Sequence, residues 1–290
     1  MLMAVVAWLS VSLLYLAKWL WARDAARREW NHPVQCCFVA LGPLTTMLAA
    51  LAAHRYLPAT ARAVFWLGAS AQVTFMIHRV GTLWSGRRDP LTTTPVLYLP
   101  AVAGNFVCAI VAAALGYRLL ATLAFGAGLF SWLALESVVL HRLLVHESIE
   151  KRLLPSLGIQ LAPPAVGCVA YLGLYDGAAD RFSVMLLGYG LLQALVLLRL
   201  APLIRTAPFA ASYWAFTFGA TALALAAIRI ADRTPIDEER AALSSLAAML
   251  FVAANVLVGV IFARTVLLSV RGQLLPLAAV ITPEPGAVSP

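Results

Sequence analysis

Apolar runs, each about as long as a membrane-spanning helix, recur along almost the whole chain and are separated by short polar connections. A helix crosses the hydrocarbon core of a bilayer with about 20 residues. Nine such runs occur, at residues 2–22, 34–53, 61–84, 96–116, 119–143, 157–175, 183–204, 211–230 and 243–268. The ten-residue alternating pattern of membrane β-barrels does not recur. The pattern therefore predicts an all-α integral membrane protein with nine transmembrane helices.

The runs alternate between two kinds. The second contains Pro43, the fourth Pro100, the sixth Pro163 and Pro164, and the eighth has Gly219 instead. From Pro43, these positions follow at intervals of 57, 64 and 55 residues, counted to Pro100, Pro164 and Gly219. Proline kinks a helix, and in lipid the freed carbonyls need partners from protein or from a water-filled cavity. We therefore predict a helical-hairpin repeat, with kinked inner helices around a central pore and smooth outer helices against lipid.

Composition and charge agree with a membrane protein. The 290 residues are 62% hydrophobic and 12% charged, whereas a soluble domain carries about 25% charged residues. The net charge of +8 does not indicate nucleic acid as a partner, because the basic residues flank the apolar runs, where they set orientation. Of the 21 Lys and Arg residues, 14 fall on one side when connections alternate. That side is expected to be cytoplasmic and to contain the C-terminus.

Residues 1–272 are expected to form one membrane domain, and residues 273–290, which contain four prolines, a loose tail. The four cysteines lie in apolar runs without a CxxC pair, which favours buried, reduced core residues over metal or redox chemistry. A membrane-embedded enzyme is the alternative suggested by "HRLLVHESIEKR", which gathers His141, His146, Glu147 and Glu150. Its histidines are five residues apart and no HExxH motif occurs, so a solvated loop is the better interpretation.

Three polar residues inside the apolar runs either contact the pore or have a structural role in the helix bundle. Glu136 is an acidic residue well inside a run, which marks it as a functional suspect. It lies on a smooth, outer-type helix, however, so a structural partner such as a helix dipole or an arginine is the preferred interpretation. Thr45 and Asn105 follow kinks, and they either offer polar contacts to the pore or satisfy the freed carbonyls.

The eighth run, "YWAFTFGATALALAAIRI", places aromatic residues beside a glycine. At 100° per residue, Trp214, Phe218, Thr221 and Arg229 share one face. If this helix lines a pore, the Phe218 ring projects into it and Gly219 gives the local backbone freedom; otherwise Phe218 packs as ordinary core. Arg229 lies about 16 Å further along the axis. It either makes the outer mouth attractive to anions or anchors the helix at the interface.

Several of these segments resemble the TehA family, the tellurite-resistance and C4-dicarboxylate transporter group related to plant slow anion channels. The matching pieces are "HPVQCCFVALGPLTTMLAA", "YLPAVAGNFV", "LGIQLAPPAVGCVAYL", "LGYGLLQALVLLRL" and "YWAFTFGAT". The resemblance implies ten helices in five hairpins, a pore that passes anions, homotrimers in the bacterial inner membrane, and a plugging phenylalanine that corresponds to Phe218.

The start of the chain departs from the family pattern, because the first 30 residues resemble the family's second helix and its basic loop. Either the true start lies upstream or one fifth of the pore wall is lacking. The expected function is passive transport of small anions, with no cofactor, no bound metal and no enzymatic step. A truncated, inactive relative is the alternative. No residue pattern distinguishes inorganic anions, sulfite, tellurite and dicarboxylates as the substrate.

Overall fold

The computed structural model of the chain describes residues 2–86 and 89–273. All regular structure in these residues is helical, which confirms the predicted all-α fold. The α-helices are α1 Leu2–Trp21, α2 Arg23–Asn31, α3 Leu41–Ala53, α4 Pro58–Trp84, α5 Gly104–Ala114, α6 Arg118–Val145, α7 Ala162–Leu172, α8 Arg181–Ile204, α9 Ala215–Arg233 and α10 Asp237–Val270. Shorter 3₁₀ stretches cover Gln35–Ala40, Pro90–Thr92, Pro95–Leu97, Lys151–Leu161 and Ala211–Trp214, and a π stretch covers Leu99–Ala103. The tail at 273–290 lies outside the described residues apart from residue 273.

Seven helical spans in the described residues are long and apolar enough to cross a membrane. They are Gln35–Ala53, Pro95–Ala114, Arg118–Val145, Lys151–Leu172, Arg181–Ile204, Ala211–Arg233 and Asp237–Val270. The bent pair of α1 and α2 makes an eighth if it counts as one span. Helix α4 is 27 residues long, but Arg62, His78 and Arg79 lower its hydropathy. The total of nine spans therefore stays a prediction.

The basic segment after α1 forms a helix that the sequence pattern did not predict. The chain turns by 107° between α1 and α2. Trp30 fixes the turned helix, because its ring packs edge-on against Trp19, at 6.3 Å between centroids, and against Phe75, at 5.5 Å. Helix α2 buries Ala26 and leaves its arginines exposed. The sequence analysis assigned this stretch to a basic loop, from the resemblance to the family's second helix and the loop that follows it.

Four alternate spans share one construction, a 3₁₀ or π stretch that leads into an α-helix. Gln35–Ala40 leads into α3, Leu99–Ala103 into α5, Lys151–Leu161 into α7 and Ala211–Trp214 into α9. The four smooth helices, α4, α6, α8 and α10, show no such break in the described residues. The predicted alternation of broken and smooth helices is therefore present.

The prolines lie at the junctions of these broken spans. Pro43 is the third residue of α3, Pro163 and Pro164 stand in the first turn of α7, and Pro100 lies in the π stretch before α5. A first-turn N–H has no acceptor within the helix, so proline there costs no hydrogen bond. These prolines thus mark where an α-helix begins. In the fourth span the break precedes α9, and Gly219 lies inside the regular helix.

The broken spans form the inner layer of the bundle. Helices α3, α5, α7 and α9 pack on one another in that order, and each has its smooth partner beside it in the chain. The two middle inner spans, Pro95–Ala114 and Lys151–Leu172, are 89% and 94% buried in their most apolar parts. The inner spans at the two ends of the row, Gln35–Ala53 and Ala211–Arg233, are 33% and 44% buried, against 17% to 33% for the smooth spans. Within the described residues α3 and α9 share no substantial contact. The inner layer is therefore an open arc.

Glycines set the spacing between neighbouring helices at two aromatic rings. A Cβ added to Gly128 of α6 would lie 2.8 Å from the Phe106 ring, and one added to Gly158 would lie 2.7 Å from the Phe216 ring. Each ring fills the space that the missing side chain leaves. Both rings thereby fasten an inner span to its neighbour at a short distance.

Candidate pore

A cavity of about 560 Å³ lies within the arc of inner spans. Each of the four broken spans contributes five of its lining residues. The lining members nearest the start of each span are Phe38, Tyr98, Ser156 and Ala211, and those furthest along are Leu48, Phe106, Val166 and Phe218. The repeat predicted from the prolines thus lines a single space with its inner helices.

The cavity wall in the described residues is apolar and carries no charged side chain. Its polar side chains are Thr45, Tyr98, Ser156, Ser212 and Trp214. Thr45 Oγ1 donates to the Leu41 carbonyl at 2.7 Å, so its hydroxyl is used within its own helix. Trp214 Nε1 donates to Thr265 Oγ1 of α10 at 3.0 Å, which holds the indole against the outer helix.

The α-helices of all four inner spans begin at this cavity. Leu41, Ala162 and Ala215 are the first residues of α3, α7 and α9, and Ala103 directly precedes α5; all four line the cavity. The N-terminus of an α-helix carries a partial positive charge. The preceding 3₁₀ and π turns have poorer hydrogen-bond geometry than an α-helix. The backbone N–H groups of Leu41, Ala162 and Ala215 nevertheless donate to carbonyls of the preceding 3₁₀ turns, so these junctions are not free helix N-termini.

Phe218 lies half-buried at the far end of the cavity, on α9. Trp214 and Phe218 line the cavity, while Thr221 and Leu225 continue the same face as exposed residues beyond it. The face calculated from helical periodicity is thus the accessible face of α9. Thr221 is not among the lining residues, and its hydroxyl donates within α9.

Gly219 has a packing role that the sequence analysis did not foresee. A Cβ at this position would lie 2.9 Å from Leu161 Cβ and 3.0 Å from the Ala162 backbone nitrogen. The missing side chain lets α9 approach the junction at which α7 begins. The sequence analysis predicted that Gly219 gives the local backbone freedom, but in the structure this glycine lies in a tightly packed contact.

The predicted kink residues and polar residues divide into two groups. Pro163 and Thr45 line the cavity, whereas Pro43, Pro100, Pro164 and Asn105 are not among its lining residues. Asn105 is buried, and its Nδ2 donates to the Ala101 carbonyl at 2.7 Å, inside the π stretch. Asn105 therefore supplies a hydrogen-bond donor to a backbone carbonyl near the break, and it is not a polar contact of the cavity wall.

Gln72 is a partner of the second inner span that the sequence analysis missed. It lies on α4, is 1% exposed, and its Nε2 donates to the Pro100 carbonyl at 2.8 Å. A Cβ at Gly104 would overlap the Gln72 amide, so only glycine there admits this side chain. The sequence signal that could have indicated this partner was a single glutamine inside an otherwise apolar run.

Glu136 accepts three hydrogen bonds from aromatic side chains. Tyr98 Oη donates to Oε2 at 2.6 Å, Trp132 Nε1 donates to the same oxygen at 2.9 Å, and Tyr189 Oη donates to Oε1 at 2.8 Å. The sequence predicted a structural role for Glu136, with a helix dipole or an arginine as its partner. The partners in the structure are instead two tyrosines and a tryptophan. The network connects α6 to α8 and, through Tyr98, to the cavity wall.

Replacing Glu136 with alanine is expected to lower the free energy of unfolding by about 2–4 kcal/mol, because three donors lose their acceptor and Tyr98 is left buried and unpaired. Glu136→Gln keeps one oxygen acceptor and is expected to cost less. Thermal midpoints of the purified proteins in detergent measure both. Equal midpoints for the parent and Glu136→Ala would contradict the structural role.

Arg229 and Arg233 lie at the far end of α9 and contact the end of α7. Arg229 Nη1 donates to the Val169 carbonyl at 3.3 Å, and Arg233 Nη1 donates to the Leu172 carbonyl at 2.7 Å. Cations are favourable beside the C-terminus of a helix, where carbonyls lack partners. Arg229 therefore has a structural contact at the position where the sequence suggested a pore mouth.

The "HRLLVHESIEKR" segment is held by a backbone contact. Arg142 is buried, and its Nη1 donates to the Glu147 carbonyl at 2.7 Å. The rings of His141 and His146 lie 6.1 Å apart. In the described residues, no group of three or more His, Cys, Asp or Glu is arranged to hold a metal ion.

The four cysteines are buried, as predicted.

Comparisons with known proteins identify a matching family and several relatives of this chain. The family model described as SLAC1, voltage-dependent anion channel, matches residues 1–266. A tellurite resistance protein TehA homolog of Haemophilus influenzae is 35% identical over 273 residues, which are 94% of this chain and 81% of the relative. The guard cell S-type anion channel SLAC1 of Arabidopsis thaliana is 27% identical over 92% of this chain, and the S-type anion channel SLAH2 is 28% identical over 77%. The chain spans less than half of both plant proteins, at 48% and 43% of their lengths.

Proposed function

The chain belongs to the SLAC1 family of voltage-dependent anion channels, which includes TehA-type proteins, and from this membership we propose that it conducts small anions passively through a central pore plugged by Phe218. The observation that carries the proposal is the cavity, which all four inner spans line and which has Phe218 at its far end. The relatives are named as anion channels or as a tellurite resistance protein. The proposal includes neither an enzymatic step nor a cofactor.

The charge distribution supports anions as the permeant species. The lining side chains of the described cavity include neither a carboxylate nor a basic group. An anion is therefore neither repelled by a carboxylate at the wall nor held tightly by a fixed cation. Weak binding favours passage over capture, because conduction requires that the ion can also leave.

The apolar ring of Phe218 supports the plug. An apolar ring in a narrow, dry constriction closes an ion path because the ion loses its hydration there. Phe218 occupies the last lining position of α9, and Phe106 occupies the corresponding position of the second inner span. Phe106 is fully buried between glycines, whereas Phe218 is only half-buried and part of its surface is accessible.

The experiment is the reversal potential of the Phe218→Ala chain, reconstituted in planar bilayers across a chloride gradient. A reversal near the chloride equilibrium potential supports an anion pore. A reversal near the potential of the accompanying cation would overturn the anion selectivity. Homotrimeric assembly, insertion in the bacterial inner membrane and a cytoplasmic C-terminus belong to the same proposal, the last supported by the excess of basic residues on that side.

Arg229 extends the proposal to the outer mouth. It is half-buried and contacts a backbone carbonyl, so its charge has no carboxylate neutralising it in the contacts described. Arg229→Gln is expected to lower anion conductance about two- to threefold at low ionic strength and to have little effect at 1 M salt, where the Debye length is about 3 Å. Single-channel recording at two salt concentrations measures this.

The control for Arg229→Gln is Arg118→Gln. Arg118 is exposed, pairs with Asp176 and is not among the lining residues, so an effect shared by both variants reports on surface charge in general and not on Arg229. An unchanged conductance and salt dependence in Arg229→Gln would leave this arginine with the helix-capping role alone.

A further inference from the structure

Five polar side chains line the cavity, and only two of them have hydroxyl groups without a partner in the described structure. Thr45 donates within its own helix, Trp214 donates to α10, and Tyr98 donates to Glu136. Ser156 and Ser212 remain, and neither Oγ atom has a hydrogen-bond partner although both atoms are buried. The wall thus contains two hydroxyls without a partner, and both Oγ atoms are covered in the described conformation.

Other hydroxyl side chains of the chain show the common alternative. Hydroxyls such as those of Thr221, Ser245 and Ser269 donate to carbonyls of their own helices. An unsatisfied buried hydroxyl is unfavourable, and buried polar groups in native proteins are mostly paired. Ser156 is 4% exposed, so bulk water does not supply its partner. An acceptor bound inside the cavity would supply the hydrogen-bond partner that each of the two hydroxyls lacks.

The two serines line the same cavity. Lys151–Leu161, which carries Ser156, packs against Ala211–Trp214, which carries Ser212. Both precede the starts of α7 and α9, and Ser212 precedes Phe218 by six residues, roughly 9–12 Å along the axis. A serine hydroxyl turns by rotation about a single bond, so each can donate into the cavity without movement of the backbone.

We infer that Ser156 and Ser212 form an anion-coordinating subsite on the N-terminal side of the Phe218 plug, which takes a small inorganic anion such as chloride. This inference rests on the proposed function. The two hydroxyl donors replace part of the hydration shell of the ion. Neutral donors hold the anion weakly, which suits a site that an ion must leave again.

The test uses the full chain with Phe218→Ala as the open background, in planar bilayers. Adding Ser156→Ala or Ser212→Ala is expected to raise the half-saturating chloride concentration about three- to tenfold, since one hydrogen bond to a charged group is lost. Thr45→Val is the control inside the cavity, because its hydroxyl is committed to its own helix. Ser245→Ala is the control on the outer helix. Unchanged half-saturation in both serine variants, or an equal change in Thr45→Val, would overturn the subsite and leave the pore intact.

A second measurement separates the subsite from conduction. Bromide is added to the purified parent chain and to the double variant Ser156→Ala, Ser212→Ala, and the thermal midpoint is followed as a function of bromide concentration. Saturable stabilisation of the parent that the double variant lacks supports the subsite even if the Phe218→Ala chain carries no current. Absence of saturable stabilisation in the parent, or its persistence in the double variant, would overturn it.

Discussion

Replacing Phe218 with alanine is expected to raise the anion current of the reconstituted chain at least about tenfold, since tenfold corresponds to only about 1.4 kcal/mol of the permeation barrier. The ring stands at the far end of an uncharged cavity, where it excludes water from the path. Alanine removes the ring and leaves the backbone of α9 unchanged. The parent is expected to carry little or no current under the same conditions.

The matched control for this current is Phe216→Ala. Phe216 stands two residues earlier on the same span, but its ring fills the space beside Gly158 and is not part of the cavity wall. Its removal changes packing and leaves the path closed. Currents are compared at equal amounts of folded, inserted protein. Silence of both variants, or equal opening by both, would contradict the plug at Phe218.

The second large effect concerns stability, at the contact between Gly104 and Gln72. A Cβ at Gly104 overlaps the buried Gln72 amide, which has to leave its position and give up the hydrogen bond to the Pro100 carbonyl. Gly104→Ala is therefore expected to lower the free energy of unfolding by about 2–4 kcal/mol, from overpacking and from a buried carbonyl left unpaired. Thermal unfolding in detergent measures the loss.

A double variant separates the two causes of this loss. Gln72→Ala alone loses the hydrogen bond, and Gly104→Ala in that background meets no amide to displace. The combined loss is expected to fall short of the sum of the single losses by about 1 kcal/mol or more. Gly126→Ala is the control, because a Cβ there meets nothing within 4 Å. It is expected to be neutral or slightly stabilising, and additive losses for Gly104 and Gln72 would contradict the contact.

The alternation of broken and smooth helices was predictable because its signals are local. Apolar length indicates a span, and proline reports on the backbone near its own position. The exact site of each break was less predictable, since Pro163 and Pro164 occupy the first turn of α7 after the long 3₁₀ stretch Lys151–Leu161. In the fourth span no proline marks the start of α9, and Gly219 suggested a break further along than the one present.

The partners of individual polar residues were not predictable, because they come from distant parts of the chain. Gln72 and Pro100 are 28 residues apart, and Glu136 and Tyr189 are 53 residues apart. Helical periodicity gives the face on which a side chain lies, but it does not give the residue opposite. For the same reason Phe218 could be placed on a face, while the uncommitted hydroxyls of Ser156 and Ser212 required coordinates.

The contacts between glycines and aromatic rings have a consequence for how such a chain changes over generations. Gly128 and Phe106, like Gly158 and Phe216, divide one fixed volume between two positions. A larger residue at the glycine is compatible only with a smaller one at the ring, and either change alone passes through a clash or a void. Substitutions at the two positions of each pair are therefore expected to occur together along a lineage.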